Sequence, residues 1–198
     1  VATTLKAKGA LPEDHPLSLG VFGYSGSPET REFLLSQDTD CLLVVGSSLG
    51  EDSTCGWDER LGRKESLLQA DVDPDQVGRN FPAAVGLIGD ANTVLVELLF
   101  QIERDLGTRQ GVSPARELPS SAQGRGAPPS SGASGQAEQG RYRPDILLSE
   151  LREALPRDAL LFVDNGTIRT WCARHFPVYQ EGSFFVNMGL ASMGYAVA

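Results

Sequence analysis

The sequence has few cysteines and an excess of acidic side chains, and it lacks any long hydrophobic run. Its three cysteines (Cys41, Cys55 and Cys172) show no metal-binding or redox spacing, which is typical of buried thiols in a reducing cytoplasm. The formal net charge of −9 argues against a nucleic-acid partner, because phosphate binding needs clustered Lys and Arg. No apolar run reaches the length of a membrane span and no export signal is present, so we expect a cytoplasmic protein without membrane contact.

Histidine is also scarce. The two histidines, His15 and His175, have no Ser, Cys or carboxylate at catalytic spacing. A nucleophilic triad therefore has no support, and we identify no candidate catalytic side chain in these 198 residues.

The composition along the chain predicts two folded parts joined by a linker. Residues 107–141 are rich in Gly, Ser, Pro and Ala and have almost no large apolar side chains. Such a segment cannot bury enough surface to offset its ordering entropy, which favours a flexible linker. We therefore expect one folded part over residues 1–106 and a second over residues 142–198.

Residues 1–106 alternate between strand-like and helix-like segments. "CLLVVG", "SLLQADVDP" and "VGLIGD" predict strands, and the continuous apolar run of the first predicts a strand buried on both faces. Ser27 and Asp90 are placed to cap helices. The second of these helices carries Leu95, Leu98, Leu99 and Ile102 on one face. This alternation predicts an α/β fold with a parallel sheet.

Residues 142–198 continue the alternation. A helix is predicted from Pro144, strands at "ALLFVDNG" and "SFFVNMG", and a short helix at "TIRTWCARHF" between them. Two strands in fewer than about 60 residues are marginal for an independent core, so we expect an incomplete second α/β domain.

Glycines and a carboxylate follow two predicted strands within residues 1–106. Gly46 and Gly50 follow the first strand, and Asp71 ends the next one. This arrangement resembles a nucleotide site, where glycines let the backbone approach a phosphate. The spacing is not G-x-G-x-x-G, however, so ordinary turn glycines and a capping aspartate are the alternative.

Two further strand-to-helix turns lie in the second part. Asp164, Asn165 and Gly166 precede a helix near Thr167, which predicts either an anion site at a helix N-terminus or a plain turn capped by Thr167. The second turn, "GLASMG", follows the next strand. If both strands are neighbours in a parallel sheet, one phosphate-bearing cofactor could touch both turns.

Several stretches together carry a family resemblance. "ATTLKAKGALPEDHPLSLGVFG", "DCLLVVGSSLGEDSTCGW", "LLQADVDPDQVGRNFPAAVGLIGDANTVL" and "LFVDNGTIRTWCARHFPVYQEGSFFVNMGLASMGYAVA" follow one another in the chain. In this order they resemble the thiamin-diphosphate-dependent enzymes of the acetolactate synthase, pyruvate oxidase and benzoylformate decarboxylase group. The resemblance implies a fragment with a Rossmann-like central domain over residues 1–106 and the truncated start of the diphosphate-binding domain over residues 142–198.

The resemblance also implies cofactors and their contacts. Thiamin diphosphate and Mg²⁺ are expected, with the metal ligands and the activating glutamate outside this chain. Met193 would force the cofactor into a bent shape, and the carbonyl of Ala191 would accept a hydrogen bond from its 4′-amino group. The complete set of implied cofactor-binding residues is Asn165, Gly166, Thr167, Ile168, Gly189, Ala191 and Met193.

The chain departs from the family pattern at three positions, two of them adjacent. Polar pairs such as Gln-His are common where this chain has Thr167 and Ile168, and Ile168 offers only its backbone N–H. Flavin-dependent members carry an arginine near the position of Ser48, so its absence argues against FAD.

The resemblance therefore implies a portion of a thiamin-diphosphate- and Mg²⁺-dependent decarboxylase or carboligase that acts on a 2-oxo acid. The fragment alone is expected to be inactive, and the intact protein to be a homodimer or homotetramer. The alternative is a non-catalytic module that binds a nucleotide such as FAD or ADP and has a degenerate tail.

Overall fold

The computed structural model describes residues 1–62, 66–106 and 143–196, which form an α/β protein built on parallel strands. The predicted linker, residues 107–141, lies outside the described residues. The strands are β1 (Ala2–Thr3), β2 (Gly20–Val21), β3 (Cys41–Val45), β4 (Ser66–Asp71), β5 (Val85–Ile88), β6 (Leu161–Val163) and β7 (Phe184–Val186). The helices are α1 (Pro28–Leu35), α2 (Glu59–Gly62), α3 (Ala91–Leu106), α4 (Pro144–Ala154) and α5 (Thr167–His175).

The chain divides into two compact units. The first unit holds Val1–Glu32 together with the described residues 143–196. The second unit holds the described residues between 33 and 106. The domain boundaries inferred from composition, at residues 106 and 142, stay a prediction.

The second unit is built on a parallel sheet in the order β3-β4-β5. The central strand, β4, is the best buried of the three, and Leu67 and Ala70 are 0% and 1% exposed. The parallel sheet and its alternation with helices confirm the predicted fold class.

The strand β3 forms where the sequence predicts it, but the prediction that both of its faces are buried is wrong. Cys41 and Leu43 are exposed, whereas Leu42 and Val44 are half-buried. Side chains alternate between the two faces of a strand, so one face of β3 is covered and the other is open. An apolar run identifies the strand and leaves open how many of its faces are covered.

Helix α3 begins as predicted, since Asp90 Oδ1 accepts a hydrogen bond from Thr93 N at 3.1 Å. The predicted buried face is only partly correct, because Leu98 is half-buried while Leu95, Leu99 and Ile102 are 43%, 57% and 46% exposed. Contact of α3 with β4 covers a narrow stripe of the helix and leaves the rest of its apolar surface open.

The first unit combines two parallel strand pairs, β1-β2 and β6-β7. Its core draws on both ends of the described chain. Residues after 142 supply most of the core, and the N-terminal segment completes it. The buried core members are Leu5, Val21, Leu148, Val163, Cys172, Ala173, Phe176, Val178 and Phe184.

A buried ion pair joins the N-terminal segment to the rest of this unit. The ammonium of Lys8, whose side chain is 1% exposed, lies 2.6 Å from a carboxylate oxygen of Glu13 and donates to the carbonyl of Ala173 at 3.3 Å. Glu13 in turn accepts a hydrogen bond from Val178 N at 2.9 Å. Both charges are therefore neutralised and hydrogen-bonded, which a buried ion pair requires.

We expect Glu13→Gln to lower the free energy of unfolding by about 3–5 kcal/mol, because the variant leaves the Lys8 ammonium buried without a counter-charge. Urea unfolding of both proteins measures the change. The matched control is Asp145→Asn, which removes the exposed ion pair with Arg143 and should cost far less. Equal losses in the two variants would contradict the assigned role of the buried pair.

Candidate functional site

The strands β6 and β7 end at the same edge of their sheet. They pair in parallel, with Val163 opposite Val186 in the register. The turn after β6 and the turn after β7 therefore emerge side by side, as the sequence predicts. In parallel sheets this edge is where ligands bind.

Two direct hydrogen bonds connect these turns. The side-chain amide of Asn165 donates to the carbonyl of Ala191 at 2.8 Å. The backbone N–H of Gly194 donates to Asp164 Oδ2 at 2.7 Å. The Asn165 bond thus holds the middle of the second turn, and the Asp164 bond holds its end.

The Asp164 carboxylate is stabilised in its charged form. Its Oδ1 accepts from Asn165 N at 2.8 Å while Oδ2 accepts from Gly194 N. These backbone hydrogen bonds, with Gly194 contributing most, lower the pKa of Asp164 below its usual value. The aspartate is therefore an anionic anchor for backbone N–H groups.

The first turn leads directly into helix α5. Gly166 is its N-cap residue, with a φ of 115°, a conformation that favours glycine. No side chain accepts a capping hydrogen bond here, and Thr167 is the first helical residue. The alternative in which Thr167 caps the helix is therefore wrong.

The second turn is shaped by Asn187 and Ala191. Asn187 Oδ1 accepts from Gly189 N at 3.2 Å, and its amide donates to Ser192 Oγ at 3.0 Å. Ala191 has a φ of 51°, in the left-handed region. Met193 is 84% exposed, so it does not fill the core of this unit.

All seven residues implied as cofactor contacts lie in or directly beside these two turns. The structure joins Asn165 to Ala191 by a hydrogen bond. The side chains of Thr167, Ile168 and Met193 are exposed at this edge. Their role as cofactor contacts stays a prediction.

Sequence reasoning missed two features of the site. It did not assign the anchoring role of Asp164, although an acidic residue directly after a strand and before an Asn-Gly turn is a recognisable signal. It also overlooked Arg169, whose Nη1 lies 3.2 Å from Met188 Sδ. No local motif marks Arg169, because its position next to Met188 depends on the pairing of β6 and β7.

In the second unit, the residues of the predicted nucleotide site have structural roles. Asp71 Oδ1 accepts from Asp73 N at 3.0 Å and so closes the turn after β4, whereas the residue that caps the short helix after it is Asp73. Gly46 has a φ of 62° and donates its N–H to Ala70 O at 2.8 Å. The carbonyl of Gly50 accepts from Ser53 N at 3.1 Å. These contacts account for the residues as turn formers.

The part of the chain that the structure describes contains neither a metal-ligand cluster nor a membrane-spanning helix. In this part of the chain, no group of three or more His, Cys, Asp or Glu side chains is placed to hold a metal ion. None of the helices described here is both long and apolar enough to cross a membrane.

We expect the hydrogen bonds to Asp164 to weaken in acid. Because its pKa is depressed on folding, its stabilising contribution is complete above the usual value of 3.8 and is lost as the pH falls through the lower folded-state pKa. The amide NMR shift of Gly194, followed between pH about 2 and 6, should titrate with a midpoint below that of a free aspartate. Asp164→Asn should abolish the titration. A midpoint at or above 3.8 would contradict this account.

We expect Ala191→Gly to stabilise the protein by about 0.5–1 kcal/mol, because a left-handed alanine costs roughly 1–2 kcal/mol and the added unfolded-state entropy of glycine offsets only part of it. Thermal and urea unfolding measure the change. Ala173→Gly, within α5, is the matched control and should destabilise by about 1 kcal/mol or more. A loss of stability in both variants would show that Ala191 is not strained.

Comparisons with known proteins agree with this architecture. A model of the family "Thiamine pyrophosphate enzyme, central domain" matches residues 1–98. The protein named "Putative acetolactate synthase large subunit IlvB2" of Mycobacterium tuberculosis is 32% identical over all of this chain and 34% of its own length. The "Putative thiamine pyrophosphate-containing protein YdaP" of Bacillus subtilis is 30% identical over 98% of this chain and 31% of its own length.

An "Acetolactate synthase" of Mycobacterium bovis is 27% identical over all of this chain and 31% of its own length. The chain thus spans about a third of the length of the curated relatives that it matches. These matches extend over both compact units of the chain and confirm the resemblance found in its sequence. Thiamine pyrophosphate is another name for thiamin diphosphate. The chain belongs to the thiamine pyrophosphate enzyme family, whose central domain matches residues 1–98.

Proposed function

We propose that the chain is part of a thiamin-diphosphate- and Mg²⁺-dependent enzyme that breaks or forms a C–C bond next to the carbonyl of a 2-oxo acid. Decarboxylation and carboligation are the two reactions of this kind. The observation that carries the proposal is the hydrogen-bonded pair of turns at the edge of β6 and β7. The acetolactate synthase names of the relatives support a 2-oxo acid as the substrate.

The first turn is suited to the diphosphate end of the cofactor. Helix α5 starts at Thr167 without a side-chain cap, so backbone N–H groups of its first turn are available to an anion. A Cβ built on Gly166 would meet no atom within 4 Å, which shows open space in front of the turn. Thr167, which carries a hydroxyl, is exposed beside it. In the proposal, Gly166, Thr167 and Ile168 bind the diphosphate, Ile168 through its backbone N–H.

The second turn is suited to the organic rings. The carbonyl oxygen of Ala191 has two lone pairs, of which the Asn165 amide uses one. The other can accept a hydrogen bond from an amino group. Met193 is an exposed, adaptable apolar side chain that can pack against a ring. Gly189, at the start of the turn, adds no side chain that would obstruct the approach.

The chemistry itself comes from the cofactor, since thiamin diphosphate supplies the electron sink for C–C cleavage when it is bound. The residues of this chain bind and orient. Asn165 holds the Ala191 carbonyl, and Asp164 holds Gly194, so that the second turn keeps its shape around a bound ring. Met193 limits the conformations available to that ring.

The remaining parts of the proposal concern the intact enzyme. The Mg²⁺ ligands and the activating glutamate are assigned outside these 198 residues, so the chain alone is proposed to be inactive. The intact enzyme is proposed to be a cytoplasmic homodimer or homotetramer. Ser48, in place of the arginine of flavin-dependent members, favours an enzyme without FAD.

The test uses the intact subunit, purified from its source and identified by the peptide "ESLLQADVDPDQVGR". We expect thiamin diphosphate with Mg²⁺ to bind in calorimetry and to support decarboxylation of a 2-oxo acid. Chelation of Mg²⁺ should abolish the activity. Met193→Ala should weaken cofactor binding, whereas Asp71→Ala, in the second unit, should leave it unchanged.

The competing nucleotide-binding module makes the opposite prediction. It requires binding of FAD, ADP or NAD that Asp71→Ala weakens, together with no response to thiamin diphosphate. That combination would overturn the proposed enzyme and leave a binding protein.

A further inference from the structure

Arg169 brings a positive charge to the paired turns without a matching negative charge. It lies in the first turn of α5, three residues after Gly166, and its backbone N–H donates to Gly166 O at 3.1 Å. Its Nη1 donates to Met188 Sδ at 3.2 Å. Its Nε is buried and has no hydrogen-bond partner among the described residues.

A thioether is a poor partner for a guanidinium. Sulfur of this kind is a weak, uncharged acceptor, whereas an arginine carries five N–H donors and a permanent charge. Among the ion pairs that the described ranges contain, none includes Arg169. The nearby carboxylate, Asp164, accepts backbone N–H groups on both of its oxygens. The described chain therefore leaves the charge of Arg169 uncompensated.

Other arginines of the first unit have protein acceptors. Arg152 also has a buried Nε without a partner, but its Nη2 donates to the carbonyls of Leu155 and Pro156, and its guanidinium lies 5.1 Å from the ring centre of Phe176. Arg174, at the other end of α5, donates to a backbone carbonyl at 3.1 Å. The lack of an oxygen acceptor distinguishes Arg169 from both.

We propose that Arg169 binds an oxyanion of the ligand held at the paired turns. A planar guanidinium pairs its Nε and one Nη with two oxygens of a phosphate or carboxylate, and the orphaned Nε is one of these two donors. An anion here would satisfy the buried donor and neutralise the charge in one contact. Arg169 then provides the positive charge that the neighbouring Ile168 side chain cannot.

The inference rests on the proposed function for the identity of the ligand. The oxyanion is then either the diphosphate of the cofactor or the carboxylate of the 2-oxo acid. Both groups present two or more oxygens to the Nε and Nη donors of the guanidinium. The probes are therefore inorganic diphosphate and pyruvate, the simplest 2-oxo acid, each titrated separately into the protein.

The decisive variant is Arg169→Met, which keeps the length of the side chain and removes its charge and donors. We expect its dissociation constant for one of the two probes to rise about tenfold or more, as for the loss of a charged hydrogen bond. Arg169→Lys should recover part of the affinity, because lysine keeps the positive charge but lacks the paired, planar donors of a guanidinium. Arg174→Met removes the same charge from the far end of α5 and should leave both constants unchanged.

Each result decides the inference. A higher dissociation constant for diphosphate in Arg169→Met assigns Arg169 to the cofactor. A higher dissociation constant for pyruvate assigns it to the substrate. Unchanged binding of both probes in Arg169→Met, or equal losses in Arg169→Met and Arg174→Met, would overturn it. Should Arg169→Met fail to fold by circular dichroism, the comparison of Arg169→Lys with the unmodified protein decides by the same criterion.

A separate titration of the intact subunit with thiamin diphosphate and Mg²⁺ keeps this inference apart from the proposed function. If the unmodified protein binds thiamin diphosphate and Arg169→Met binds it and pyruvate equally well, the enzyme proposal stands and the role of Arg169 falls. If Arg169 binds a probe anion while thiamin diphosphate does not bind at all, the enzyme proposal falls and the anion site remains.

Discussion

Asp164 accepts backbone hydrogen bonds from both turns of the site, one from Asn165 and one from Gly194. The second turn follows strand β7 and includes a left-handed alanine, Ala191, so its conformation has a local cost. Contacts from the first turn offset that cost. Because a carboxylate can accept from several N–H groups at once, one residue ties the turns together while keeping its own charge. The candidate cofactor contacts depend on this tie for their relative positions.

The same unit relies on charge pairing in its interior. Lys8 and Glu13 come from the N-terminal segment, and their partners Ala173 and Val178 come from the part that carries the site. Burial would be costly for either charge alone, so the pair favours one arrangement of these segments over others. Arg169 shows the contrasting case, in which a charge at the site has no protein counter-charge among the described residues. This contrast between compensated charges in the interior and an uncompensated one beside the turns is the basis of the proposed anion site.

Much of the fold was predictable from local patterns. Ser27 and Asp90 mark helix starts because their side chains accept hydrogen bonds from backbone groups nearby in the sequence, Thr30 N and Thr93 N. The open face of β3 and the exposed part of the α3 stripe were not predictable. Burial depends on which elements cover a face, and periodicity carries no information about those partners.

The sequence by itself determined the strands β3 to β7, the longer helices, the parallel α/β class and the presence of two glycine-bearing turns, because these follow from short-range periodicity and turn chemistry. It also identified the family, through stretches spread over the chain. Only the tertiary structure decided that Asn165 contacts Ala191, that Asp164 holds Gly194, and that Arg169 lies beside Met188. These contacts join residues 19 to 30 positions apart, and their geometry arises from the register of β6 on β7.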